Sequence, residues 1–400
     1  MEPTSHPNIC TSTAKQSKSP DSPSLRNNNM HLRQLHIINY RNIAQADFAL
    51  TEGINCFVGN NGAGKTNLLD TIYYLSFCKS YFGAPDNRNI LHNQQMMAIQ
   101  GTYERLGAEE VIMCGVRHGQ KKQFRRNRKD YQRLAEHIGL LPLVIIAPDD
   151  EMLIADGSEA RRKYADSVIS QCNNAYLDTL LRYNRILQQR NALLKQLQET
   201  QEPNLTLLDV FDQQLGTYGT TISEQRRCFV EWLRPVLTEH YQCIASSPET
   251  IDIQYTTGLS RYELYTGLVE SRHRDLELGY TSRGIHKDDI EFTLGGYPIR
   301  QVGSQGQRKS FIIALKLAQF KYIEEHNGIK PILLLDDVFD KLDARRGDNL
   351  IDLVAHDAFA QIFITDTDKK RLLSVLERVG KDYKIFHVAD GVVTEDNDNH

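Results

Sequence analysis

Apolar and polar residues alternate through His31–Ile43, with Leu35 and Ile37 on one face, and the spacing predicts a strand with a short turn. A second strand is expected over Gly53–Val58, running directly into a glycine-rich segment. From Lys65 to Phe77 the period becomes helical, with Leu68, Leu69, Ile72 and Leu75 on one side. Two further strand-like runs follow, Met97–Tyr103 and Glu110–Arg117.

Residues 158–240 then read as mostly helical. One stripe runs Tyr176, Leu180, Tyr183, Leu187, Arg190, Leu194, Leu197. Another runs Leu208, Phe211, Leu215, Tyr218, Ile222, Gln225, Phe229, Trp232, Val236. Both alternate steps of three and four, the spacing of paired helices. Glu202-Pro203-Asn204 breaks the pattern between them, so an antiparallel hairpin is expected. Its second limb would be about 43 Å long at the helical rise. The stripes fit the core of a helical subdomain better than a separate extended coiled coil. Strands return at Glu291–Leu294, Pro331–Leu335, Ile362–Thr365 and Tyr383–Val388, while Phe311, Leu315, Ala318 and Tyr322 line a helical face between them. An α/β domain split by a helical insertion explains this order better than two domains in series. The expected segments are a tail over 1–29, an α/β part over 30–147, a helical arm over 148–275, the returning α/β part over 276–390, and a tail over 391–400.

Composition adds limits. The chain has 400 residues, 40% hydrophobic and 24% charged, with net charge −4, so any nucleic-acid contact must come from local patches. Seven cysteines without a Cys-x-x-Cys pair argue for reduced thiols in a cytoplasmic compartment. No apolar run of about 18 residues is present, so no membrane partner or span is expected. Residues 1–29 are rich in Ser, Thr, Pro and Asn and read as a disordered tail without a signal-peptide core. Met30, at the edge of the first patterned strand, is an alternative expected start.

Three stretches carry candidate chemistry. Gly59-Asn60-Asn61-Gly62-Ala63-Gly64-Lys65-Thr66 matches a phosphate loop in the required context of strand, glycine-rich turn and helix. Its glycines let successive N–H groups face one anion, and the following helix adds its positive end. Lys65 can reach the β- and γ-phosphates, and Thr66 can ligate Mg²⁺. Ile332-Leu333-Leu334-Leu335-Asp336-Asp337 is an apolar strand ending in two carboxylates, where an α/β sheet places ligands. Asp336 suits the metal and Asp337 suits polarisation of an attacking water; alone, they would be two solvated acids. Ser304-Gln305-Gly306-Gln307 has two compatible readings. It is a helix capping box, and it is also a serine, a glycine amide and a helix N-terminus aimed at an anion.

Other segments are less specific. Residues 121–129, Lys-Lys-Gln-Phe-Arg-Arg-Asn-Arg-Lys, hold six positive charges, a patch for phosphate backbones or a solvated basic hairpin. Arg161-Arg162-Lys163, Arg182 and Arg185 could extend it along the arm or simply be solvated. His286-Lys287-Asp288-Asp289 reads as a charged turn. Leu342-Asp343 is a plausible loop at a dimer seam.

The order phosphate loop, Ser-x-Gly-Gln and acidic strand around a helical insertion resembles the ATPase heads of the ABC and SMC superfamily, a mixed sheet with a phosphate loop. Leu35–Asn42, the loop extended to Asn67, Pro148-Asp149-Asp150, Arg161-Arg162-Lys163 with Asp166, Gln189–Lys195, Gly284–Asp289, Ser304–Lys309 and Leu335–Phe339 with Leu342-Asp343 resemble, more narrowly, the RecF family of DNA repair proteins, over about residues 30–390. The resemblance implies a DNA-binding, ATP-gated homodimer with Mg²⁺. It implies action on single-stranded, duplex or gapped DNA, with RecO and RecR, in loading the RecA recombinase. By residue match, Lys65, Thr66, Asp336 and Asp337 would form the hydrolytic site, and Ser304 would reach the partner's γ-phosphate. Two departures stand out. Thr365-Asp366-Thr367-Asp368 replaces the histidine that ABC transporters place after the last core strand, and Phe82 stands where the RecF pattern has an arginine. A transporter ATPase subunit and an SMC-like clamp with another partner remain the alternatives. The paired-helix arm and the basic segment speak against the transporter.

Overall fold

The first alternating run forms β1 (Met30–Tyr40), which turns at Arg41 and Asn42 into β2 (Ile43–Ala49). The computed structural model describes residues 30–198, 205–245, 249–258, 263–341, 344–356 and 359–396. The expected tail 1–29, the Glu202-Pro203-Asn204 break and the Leu342-Asp343 loop lie outside the described residues. A register shift between Leu32 and Gln34 interrupts the alternation of β1, so Leu32, Leu35 and Ile37 can all be buried. All five residues of β3 (Ile54–Val58) are buried, as expected of a central parallel strand.

After the phosphate loop come α1 (Lys65–Phe77), β4 (Met96–Arg105), β5 (Ala108–Arg117), β6 (Gln123–Arg126) and β7 (Lys129–Asp130). With β1 and β2 the last four strands make an antiparallel sheet, in order β2-β1-β4-β5-β6-β7. Asn127 and Arg128 both take left-handed φ, 49° and 67°, the backbone of a tight two-residue hairpin turn. The basic segment is therefore an edge hairpin.

β8 (Leu143–Ile146) leads through α2 (Met152–Ala155) and α3 (Ser158–Cys172) to the paired helices α4 (Asn174–Gln198) and α5 (Thr206–Ala245). These run antiparallel: Tyr176 and Arg226 meet on Asp166, Tyr183 lies against Gly219, and Arg190 pairs with Asp212. The buried stripe of α5 differs from the sequence reading. Leu208, Asp212, Leu215, Gly219, Ile222, Arg226, Phe229 and Leu233 are buried, while Phe211, Tyr218, Gln225, Trp232 and Val236 flank them, partly exposed. The reason is that two ions and a glycine occupy core positions.

β9 (Ile251–Thr256), α6 (Leu264–Glu270) and α7 (Arg272–Leu278) complete the arm, and β10 (Asp289–Leu294) and β11 (Tyr297–Pro298) follow. β9 pairs with β10, so the arm and the returning α/β segment share a sheet across residues 275 and 276. Next are α8 (Ile299–Val302), α9 (Gln305–Asn327), β12 (Ile332–Leu335), α10 (Ala344–His356), β13 (Ile362–Asp366), α11 (Lys369–Val379), β14 (Tyr383–Ala389) and β15 (Val392–Glu395). The expected tail from 391 is corrected here. Val392–Glu395 pairs with β14, and the Gly391 N–H donates to Ala63 O at 2.9 Å, so the turn between β14 and β15 ties down the phosphate loop.

The second sheet has order β15-β14-β3-β13-β12-β8, parallel except for β15. Its two faces feed two cores. Ile54, Cys56, Leu333, Leu335 and Ile364 pack with α9 and the arm, and Phe57, Leu334, Phe363 and Phe386 pack with α1 and the antiparallel sheet. Among the described residues, no helix is long and apolar enough to cross a membrane.

Candidate functional site

β3 delivers the chain to Gly59, and the three loop glycines serve different ends. A Cβ on Gly59 would stand 2.1 Å from Val388 O, so this residue lets the loop lie against β14. Gly62 has open space around it but needs φ +81°. At Gly64, φ is +116° and a Cβ would meet the Asn42 side chain at 2.8 Å. Asn42 braces the loop further: its amide donates to Ala63 O at 3.0 Å and accepts from Asn67 Nδ2 at 2.8 Å. Asn60 and Asn61 are exposed at the crest.

Lys65 is buried, with its Nζ donating to Gly59 O at 2.9 Å and Asn60 O at 3.2 Å. It thus closes over the cradle that its loop forms. The Thr66 hydroxyl lies 2.9 Å from Asp336 Oδ1. Parallel pairing of β12 with β13, and of β13 with β3, sets this meeting, because all three strands end at the same edge. Burial pushes the Asp336 carboxyl up to about 6, with the Asp337 charge adding to the rise, while hydroxyl bonds from Thr365 and Thr66 and the Lys65 charge oppose it. Asp337 takes a left-handed φ of 46° and donates its N–H to Thr365 Oγ1 at 2.9 Å.

The donor set suits a small hard cation. Thr66 and Asp336 offer two oxygens side by side, and such ions take few protein ligands and fill the rest with phosphate and water. Among the described residues, no group of three or more His, Cys, Asp or Glu side chains could hold a metal ion by itself.

Ser304 opens α9 with a full capping box: Gln307 N–H donates to Ser304 Oγ at 3.2 Å, and Ser304 N–H donates to Gln307 Oε1 at 2.7 Å. The Gln307 amide also donates to Glu249 at 2.9 Å. A Cβ on Gly306 would meet Arg346 Nη1 at 1.9 Å. Among the described residues, Ser304, Gly306 and Gln307 make no hydrogen bond with the phosphate loop of their own chain. The structure thus joins residues 59–67 with Asp336 and Asp337, and leaves the third motif apart from them, with Ser304 and Gln305 exposed and Gly306 and Gln307 half-buried.

Besides Asn42, two contributors carry no role in the sequence reading. Thr365 holds both acids from β13, and Arg41 reaches from the β1–β2 turn to Asn67 at 3.2 Å, Ser80 at 2.9 Å and Asp70 at 3.1 Å. Phe82 packs beneath that guanidinium at 4.8 Å. The basic hairpin is weaker than its sequence: Lys122 pairs with Asp86, Arg125 with Asp130 and Arg126 with Glu110, leaving Lys121, Arg128 and Lys129 exposed. Arg161 is taken by Asp289 and Arg162 by Asp288 O, so neither extends the patch. His286 is held between Tyr183 and Thr281 O at 3.0 Å each, in a structural turn.

The family model described as the RecF/RecN/SMC N terminal domain matches residues 31–394. The DNA replication and repair protein RecF of Parabacteroides distasonis is 50% identical over 364 residues, covering 91% of this chain and 99% of that protein. The chain belongs to the RecF family. The RecF of Flavobacterium johnsoniae is 44% identical, covering 90% of this chain and all of that one. A solved RecF-ATP structure, of the recombination mediator protein in the RecFOR pathway, superposes with TM-score 0.84 at 30% identity, covering 92% of this chain and 98% of the other. The Smc head domain from Pyrococcus furiosus, at TM-score 0.55 and 14% identity, shares the fold. DNA replication and repair is thus the function this RecF-family chain serves, and a mixed-sheet ATPase head with a helical insertion is its fold.

Proposed function

We propose that this chain is an ATP-gated, DNA-binding ATPase that closes as a homodimer around nucleotide. The observation that carries the reading is the Thr66–Asp336 contact, which joins a phosphate loop to an acidic strand 270 residues away. Lys65 and the loop N–H groups bind the triphosphate of ATP. Thr66 and Asp336 hold Mg²⁺, which supplies charge neutralisation at the transferring phosphate. Asp337 orients the attacking water. Ser304, exposed at the head of α9 and not bonded to its own loop, contacts the γ-phosphate bound by the partner subunit.

ATP binding therefore joins two protomers, and its hydrolysis parts them and releases DNA. The exposed cations of the β6–β7 hairpin supply part of the DNA contact. The RecFOR context of the solved relative supports action beside RecO and RecR; gapped DNA as the target and the cytoplasm as the compartment are part of this proposal. The test measures molecular mass and binding to single-stranded, duplex and gapped DNA, with and without ATP, at one stated salt concentration. ATP should double the mass and strengthen DNA binding. An ATP-bound chain that stays monomeric and binds DNA no better overturns the reading.

A further inference from the structure

We infer that Thr365 is a positioning residue that sets both carboxylates of the site through its single hydroxyl. The proposal rests on the ATPase reading above. Thr365 lies on β13, between the strand that ends in the phosphate loop and the strand that ends in the acids. It is wholly buried. Its Oγ1 is 2.8 Å from Asp336 Oδ1, 2.9 Å from the Asp337 nitrogen and 3.4 Å from Asp337 Oδ1.

A hydroxyl has one proton and two lone pairs. The Asp337 N–H must donate to it, so a lone pair is committed there. The proton goes to Asp336 Oδ1, the nearer carboxylate. Asp336 Oδ1 also receives the Thr66 hydroxyl at 2.9 Å. Thr66 would offer a bound cation a lone pair of the same oxygen, so its position would answer to the ligand as well as to Asp336. Thr365 has no such second duty, and its hydroxyl holds Asp336 whether or not the site is filled.

The second bond does separate work. Asp337 sits at φ 46°, a left-handed conformation that an aspartate holds only when its surroundings enforce it. The bond from Asp337 N–H to Thr365 is one such enforcement. It fixes the direction in which the Asp337 carboxylate leaves the backbone, and so the place at which that carboxylate can hold a water. The adjacent Asp366 carbonyl accepts the Gly59 N–H at 3.3 Å, so the same strand end touches the phosphate loop as well. One short segment, Thr365-Asp366, thereby sets the distance between cradle and acids.

Thr365→Val keeps the shape and removes the hydroxyl, and Thr365→Ser restores it. The valine variant should bind a fluorescent ATP analogue within about threefold of the unsubstituted chain and lose about 10²-fold in kcat, the scale of a small misplacement of reacting groups. Serine should recover most of the loss. In the nucleotide-free protein, amide exchange at Asp337 should quicken in the valine variant and stay slow in the serine variant. Valine turnover equal to that of the unsubstituted chain, or unchanged Asp337 exchange, overturns the proposal. If the valine chain does not fold, Thr365→Ala carries the same two assays. An unsubstituted chain that fails to hydrolyse ATP overturns the ATPase reading instead, and the exchange measurement still decides whether Thr365 holds Asp337.

Discussion

Thr66 and Asp336, 270 residues apart, meet at 2.9 Å because the strands that carry them end at one edge of a parallel sheet. The contact makes a definite prediction for Asp336→Asn. The amide keeps the shape and the Thr66 bond but loses the charge that holds a divalent cation. ATP hydrolysis should fall by at least about 10²-fold, the usual scale for removing one preorganised electrostatic group. Nucleotide binding through Lys65 and the loop should persist. Steady-state turnover beside equilibrium binding of a fluorescent ATP analogue checks both halves.

The raised Asp336 carboxyl also predicts a pH dependence of stability in the nucleotide-free protein. Its folded value is about 6, against 3.8 for an ordinary aspartate. Between these values the native state holds a proton that the unfolded chain has released. Stability is therefore highest below about pH 4 for this group, falls as pH rises, and levels off above about pH 6. The full loss is about 3 kcal/mol. Denaturant unfolding at several pH values should show this fall as a difference between the native chain and Asp336→Asn, because the buried His137 and His286, pushed down to about 4, titrate in the same window with the opposite sign.

Gly59 is constrained by packing. Alanine there would drive its methyl group into Val388 O at 2.1 Å, a backbone atom that cannot swing aside. Gly59→Ala should destabilise the free protein by about 1–3 kcal/mol, the usual cost of overpacking. Gly62→Ala meets no neighbour but needs left-handed φ, so its cost should be about 1 kcal/mol. Thermal unfolding without nucleotide separates the two.

The arm holds a buried ionic cluster. Arg190 is wholly buried between Asp212 at 2.6 Å and Asp275 at 2.7 Å, and it also donates to Thr281 at 2.9 Å. Arg190→Met would leave the buried Asp275 without its cation and Asp212 with Arg272 alone. Breaking such a pair costs about 3–5 kcal/mol. The variant should lose that much stability, with proteolysis beginning at α4 and α5, while changes at the exposed Arg182 should be nearly silent.

Much of this architecture was readable from periodicity. The helix after the phosphate loop, the strand before it and the four returning strands are where apolar spacing puts them, because each buries a continuous face. The α5 stripe was half wrong. A hydrophobic reading follows Phe211 and Tyr218, and cannot see that Asp212, Gly219 and Arg226 take the core by forming ion pairs and a close helix contact. The segment of β15 reads as a tail because Val-Val-Thr-Glu is too short for any period to show. The site was legible where chemistry is local, in the loop and the acidic pair. Thr365 and Asn42 were not assigned a role, since each acts across strands through one hydrogen-bonding side chain that any buried Thr or turn Asn would also present.

In the proposed dimer each active site draws Lys65 from one chain and Ser304 from the other. Mixing Lys65→Ala and Ser304→Ala chains tests it most directly. Each variant alone should hydrolyse ATP poorly. In a mixed dimer, one of the two sites regains an intact Lys65 and an intact Ser304, so the mixture should hydrolyse ATP well above either variant alone. Full turnover by Ser304→Ala alone, or a mixture no more active than its components, would contradict a site shared between two chains.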